Sequence, residues 1–169
     1  MDIFRGVCRI LAVMVLAGLY ATRIVAGGVA TSIRLSSWFL AFSFFMFLSL
    51  AIVKRFSEIS EALRGDAPLL NGRVYGASDL PLLLTAGVGS GVCAVLVMAI
   101  YINSSDAALL YRHREVLWAV CLLLLYWIVR IWLLTSRGQM SEDPVAFSTS
   151  DLTSYLVLGF TVVAVLLSI

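Results

Sequence analysis

The sequence predicts an all-α, polytopic membrane helix bundle with five transmembrane helices in a single domain spanning residues 1–169, and three observations carry that prediction. Apolar residues make up 62% of the chain and charged residues only 13%, against about 25% charged in an ordinary soluble domain. Mean hydropathy is +1.02. A 169-residue chain cannot hide so much apolar surface in a core of its own, so lipid must be the solvent for much of it. The apolar residues also fall into runs near the ~20 residues that a crossing helix needs.

Five such runs occur: Ile10–Gly27, Trp38–Val53, Pro81–Ile102, Val116–Leu134 and Leu152–Ile169. Each is expected to be helical, because in hydrocarbon only a helix or a closed barrel satisfies its own backbone. The first carries Arg23 and lacks a small-residue cleavage site, so it reads as a span rather than a signal peptide. The second, SWFLAFSFFMFLSLAIV, contains no charge. The glycines of GVGSGVC (87–93) lie inside the third, where small residues let helices approach closely. Asp151 or Ser150 precedes the fifth as an N-cap.

Lysines and arginines orient the spans. Arg5, Arg9, Lys54, Arg55, Arg64, Arg73 and Arg137 fall on one side; Arg34, Arg112 and Arg114 fall on the other. The positive-inside rule makes the first side cytoplasmic. The expectation is a protein of the inner or plasma membrane with its N-terminus and its polar loops 54–80 and 136–151 inside.

Several functions are excluded early. A net charge of +2 with no basic stripe argues against a nucleic-acid partner. The cysteines Cys8, Cys93 and Cys121 lie in or beside apolar runs without CxxC spacing, so neither a disulfide framework nor a thiolate metal site is indicated. The lone histidine, His113, sits in the polar YRHRE stretch. No GxxxxGK, HExxH or GxSxG motif is present.

The chemistry concentrates between Lys54 and Asp79. If the second helix continues past Val53, then Lys54 and Glu58 are four apart, while Arg55 and Glu58, and Glu58 and Glu61, are three apart. Such residues share a helix face. Two carboxylates there suit a hard cation such as Mg2+, which also takes phosphate oxygens, and the adjacent lysine and arginine suit the same phosphates. Gly65 and Asp66 would end the helix, and NGRVYGASD would turn Arg73, Tyr75 and Asp79 back towards the membrane. The plainer reading is a cationic helix end anchored at the membrane face, with glutamates on a solvated side. Two arginines lie inside spans, Arg23 and Arg130, with Tyr20 and Tyr126 on their faces. A charge in hydrocarbon costs about 2.5 kcal/mol or more, so each must either snorkel to a helix end or face an anion within the bundle.

Four blocks in order, VLAGLYATRIVAGG, SWFLAFSFFMFLSLAIVKRFSEI, GRVYGASDLPLL and SEDPVAFSTSD, resemble the second half of the UbiA superfamily of intramembrane prenyltransferases, nearest its decaprenyl-phosphate phosphoribosyltransferase-like branch. The resemblance implies helices five to nine of a nine-helix fold around a cavity open to the cytoplasm. It implies a Lys-Arg-x-x-Glu motif at Lys54, Arg55 and Glu58, in place of the second acidic motif of typical members. The first acidic motif, Asn-Asp-x-x-Asp-x-x-x-Asp, has no counterpart; before Glu58 the only acidic residue is Asp2. On this resemblance the chain is expected to lack an N-terminal half.

The expectation is therefore a UbiA-type membrane transferase fragment, moving a prenyl or phosphoribosyl group from a diphosphate donor to a polyprenyl or aromatic acceptor. Lys54 and Glu58 would be catalytic; Lys54, Arg55, Arg73, Arg23 and Arg130 would contact phosphate; Glu58 and Glu61 would hold Mg2+. The rival expectations are a non-catalytic membrane subunit or pseudoenzyme, and a small anion transporter with Arg23 and Arg130 lining its path.

Overall fold

The computed structural model describes residues 2–31, 36–64, 79–140 and 151–169. Five apolar helices dominate: α1 (Asp2–Ala30), α2 (Ser37–Arg64), α3 (Leu80–Ile102), α5 (Leu117–Ser136) and α6 (Leu152–Ser168). A short α4 (Ser105–Leu110) and a 3-10 turn (Arg114–Val116) lie between α3 and α5. No strand occurs among the described residues. Four of the helices are long and apolar enough to cross a membrane, and α6 is a shorter apolar helix. The expected all-α membrane bundle is what the chain forms.

The helices pack in an arc. α1 lies on α2, α2 on α3, α3 on α5 and α5 on α6, and α2 also touches α5. At one end of the arc, the site end, α2 stops, α3 starts, α5 stops and α6 starts. Many large apolar side chains face outward, among them Leu19, Leu82, Leu122, Leu158 and Phe160, as helices bathed in lipid require. Because lipid is as apolar as leucine, close packing and interhelical hydrogen bonds must hold such helices together.

The main node is built on two glycines of α3. A Cβ at Gly87 would overlap the Trp132 ring of α5, and one at Gly91 would overlap Ile128. Ser49 of α2 donates to the Gly87 carbonyl at 2.8 Å and accepts from the Trp132 indole at 3.1 Å. One hydroxyl thus ties α2, α3 and α5 together in the interior. Phe56 meets Trp132 edge-on with ring centroids 6.0 Å apart. Val53, Ile59, Leu83, Ile131 and Met140 complete this cluster. A second cluster at the opposite end joins Ile102, Leu117, Val120, Cys121 and Ala164.

α5 stops in a Schellman motif. Gly138 has φ +67°, a left-handed conformation that glycine adopts without a Cβ penalty. Its N–H donates to the Thr135 carbonyl and that of Gln139 to the Leu134 carbonyl, the paired pattern expected of this cap. The chain then folds back so that Met140 is buried, its Sδ accepting from the Thr135 hydroxyl at 3.4 Å.

Candidate functional site

At ~1.5 Å per residue the 28-residue α2 is about 42 Å long, against ~30 Å for the hydrocarbon core. Its last ~8 residues therefore project beyond an apolar slab that begins at Ser37. Lys54 stands just before the projecting part, and α2 stays helical to Arg64, immediately before Gly65. The expected continuation past Val53 is thus present, and it puts Lys54, Glu58 and Glu61 on one side of one continuous helix. At ~100° per residue they share the side of Phe47, which stacks on Tyr20 of α1 at 5.4 Å.

Arg55 Nη1 donates to Glu58 Oε2 at 2.7 Å, with both side chains well exposed. Lys54 and Glu61 are half-buried. Between them lies Ser57, 7% exposed, whose hydroxyl has no hydrogen-bond partner among the described residues. The sequence reading passed over Ser57; a serine flanked by charges on a helix gives no sign that it will be buried. Arg64 counts in the sequence only as a cytoplasmic charge. Its guanidinium lies where a side chain on Gly138 would stand, so the end of α2 reaches the end of α5. A cation there is favoured by the negative end of the α5 dipole.

The remaining predicted arginines are not part of this cluster. Arg23 lies over the Tyr20 ring at 5.5 Å. Tyr20 is level with Phe47, seven residues before Lys54, and antiparallel α1 carries Arg23 three residues further from the site end. Arg23 is therefore about 15 Å from Lys54 along the bundle axis. Arg130 follows Ile128 and precedes Trp132, which face α3 and α2; at ~100° per residue it projects to nearly the opposite side of α5. There it meets the start of α6. Its Nη1 and Nη2 donate to Asp151 Oδ2 and Oδ1 at 2.6 and 3.0 Å.

Asp151 also caps α6, accepting from Ser154 N and Ser154 Oγ at 2.9 Å each. The Trp127 indole donates to the same Ser154 hydroxyl at 3.1 Å. Hydrogen bonding from Arg130 pulls the Asp151 carboxyl down to about 2, against the upward push of burial, and Ser154 assists. The expected cap is present, and it doubles as the counter-ion of the intramembrane arginine. The sequence held a signal for this pairing: an arginine within a span demands a partner, and Asp151 begins the next span at the same end. The pair takes up one N–H from each terminal nitrogen of Arg130.

Arg73 and the turn around it, and the acidic group Glu142–Asp143, lie outside the described residues. Among the described residues no group of three or more His, Cys, Asp or Glu side chains could hold a metal ion. Glu58 and Glu61 thus form no protein cage. They fit the narrower requirement of Mg2+, which keeps several waters and needs only one or two carboxylates when phosphates supply the rest.

The chain is 36% identical over 151 residues to the nodulation protein NoeC of Azorhizobium caulinodans, an alignment covering 89% of this chain and 49% of that protein. It is 32% identical over 149 residues to the protein y4nM of Sinorhizobium fredii, covering 88% of this chain and 29% of that one. The chain thus spans about half the length of NoeC and under a third of y4nM. No family model matches it, and no solved structure does.

Proposed function

We propose that this chain is the Lys-Arg-x-x-Glu-bearing half of a UbiA-type integral membrane transferase, which moves a prenyl or phosphoribosyl group from a diphosphate donor to a polyprenyl or aromatic acceptor. One observation carries the reading: Lys54, Arg55, Glu58 and Glu61 lie on a single helix that leaves the apolar slab unbroken, at the end where α3, α5 and α6 also meet the polar phase. The excess of Lys and Arg at that end supports a cytoplasmic orientation in the inner or plasma membrane.

In this reading the diphosphate lies along α2. Lys54 places an ammonium against its oxygens, and Arg55, released from Glu58, adds a planar fork. These cations stabilise the charge that builds on the leaving diphosphate as the bond to the transferred group breaks. Glu58 and Glu61 would hold Mg2+, which supplies Lewis-acid neutralisation of the same oxygens when bound. The apolar walls keep water from the electron-poor carbon. Arg130, held by Asp151, keeps α6 against α5 and so fixes one flank of the site.

A non-catalytic subunit is the second reading. It is favoured by the absence, among the described residues, of any group of three or more side chains able to hold a metal ion. The two readings separate in one experiment: the longer protein carrying this chain is assayed for Mg2+-dependent diphosphate release. The expected outcome is release that falls by roughly 100-fold or more in Glu58→Gln and in Lys54→Ala. Rates untouched by both substitutions would remove the site, and no release from the wild type would leave the non-catalytic reading.

A further inference from the structure

The charged extension of α2 holds two acid–base pairs at the same spacing. Arg55 precedes Glu58 by three residues, and Glu61 precedes Arg64 by three. Side chains three apart are neighbours on a helix, and the order acid before base suits the helix dipole. The second pair should therefore form more readily than the first. The structure shows the opposite. Arg55 Nη1 donates to Glu58 Oε2 at 2.7 Å, whereas Glu61 and Arg64 form no ion pair.

What draws Arg64 away is the end of α5. A Cβ built on Gly138 would overlap both terminal nitrogens of the Arg64 guanidinium and the carbon between them. Glycine leaves that space empty and also takes φ +67° without a Cβ penalty. The C-terminal end of α5 carries partial negative charge, which favours a cation in this seat. Glu61, half-buried on the neighbouring turn of α2, is left without its own basic neighbour.

We infer that Arg64 is a positioning residue: seated on Gly138, it is kept off Glu61 and leaves that carboxylate open to a divalent cation. The inference rests on the proposed metal-holding role of Glu58 and Glu61, and adds an order to that site. Glu58 is already paired with Arg55, so an incoming hydrated cation meets Glu61 first. It gains Glu58 as Arg55 turns to the diphosphate. An Arg64 folded back on Glu61 would set a fixed positive charge where the cation must stand. Glycine at position 138 thus serves the chemistry of α2 as well as the turn that ends α5.

The test uses Gly138→Asn, because asparagine tolerates the left-handed cap while its Cβ evicts Arg64. The whole 169-residue chain in mild detergent is titrated with the Mn2+ complex of inorganic diphosphate, and binding is read from water-proton relaxation. The wild type is expected to bind the complex, to release it to the Mg2+ complex, and to lose it in Glu61→Gln. Gly138→Asn should weaken binding about threefold, the worth of an exposed ion pair that the metal must break. Adding Arg64→Ala to Gly138→Asn should restore the wild-type affinity. That recovery is a coupling between the two positions, and strain in the cap alone would not produce it. Arg64→Ala by itself should stay within about twofold of the wild type. Equal affinity in the wild type and Gly138→Asn would overturn the inference, as would a loss that persists in the double variant. Weaker binding in Arg64→Ala alone would make Arg64 a phosphate contact instead, and overturns it even if Gly138→Asn does not fold. No binding by the wild type would remove the metal-holding role of Glu58 and Glu61 itself, and the inference with it.

Discussion

Asp151 accepts four hydrogen bonds, two from Arg130 and two from Ser154. It shows how one side chain can serve as helix cap and counter-ion together. Asp151→Ala would leave Arg130 without this partner at a partly buried position and uncap α6, a loss of about 1–3 kcal/mol; thermal unfolding in detergent should show a clear drop. The pH dependence follows from the carboxyl being held at about 2 against 3.8 when unperturbed. A depressed folded-state value gives stability that is fully present above ~4 and lost as pH falls through ~2. The wild type should therefore lose stability across that window, and Asp151→Asn should flatten the loss. Ser57 predicts the reverse sign. Its buried hydroxyl has no partner among the described residues, so Ser57→Ala should raise stability by about 1 kcal/mol. Thermal unfolding of the two proteins in the same detergent measures the difference.

Among the elements, α3 is the most constrained, and its constraint was legible in the sequence. GVGSGVC announced close packing, and Gly87 and Gly91 deliver it against Trp132 and Ile128. Gly89 meets nothing within 4 Å, because two residues along a helix turn it to the other side. Gly91→Val should thus cost about 1–3 kcal/mol by overpacking, while Gly89→Ala should be neutral or slightly stabilising. Comparing the melting temperatures of the two variants checks this. The extension of α2 to Arg64 was also legible, since Lys54, Arg55, Glu58 and Glu61 keep helical spacing. The partner of Ser49 was not. A serine within an apolar run carries no mark of the Gly87 carbonyl and Trp132 indole that meet it from helices 38 and 83 residues away. Gly138→Ala probes the end of α5. It must adopt φ +67° and displace the Arg64 guanidinium, so a loss of about 1 kcal/mol or more is expected.

Over the whole molecule, the arc of helices divides the charges that the sequence reading had grouped as one phosphate-binding set. Lys54 and Arg55 remain with Glu58 and Glu61. Arg23 lies well along the axis over Tyr20, and Arg130 faces α6 across the thickness of α5. Spacing along one helix is readable because 3.6 residues per turn fixes it. Spacing between helices depends on crossing angle and rotation about each axis, which local periodicity leaves open.

The sequence by itself determined that the chain is a helical membrane bundle, where its helices run, and that its charges cluster where α2 leaves the apolar phase. Composition, run length and helical period are local quantities, and lipid leaves the backbone little other choice. Only the tertiary structure decided that Asp151 answers Arg130, that Ser49 joins three helices, that Arg64 reaches the end of α5, and that Ser57 is buried without a partner among the described residues. Each of these depends on which faces of two separate helices are turned towards one another, and that is settled by packing across the bundle.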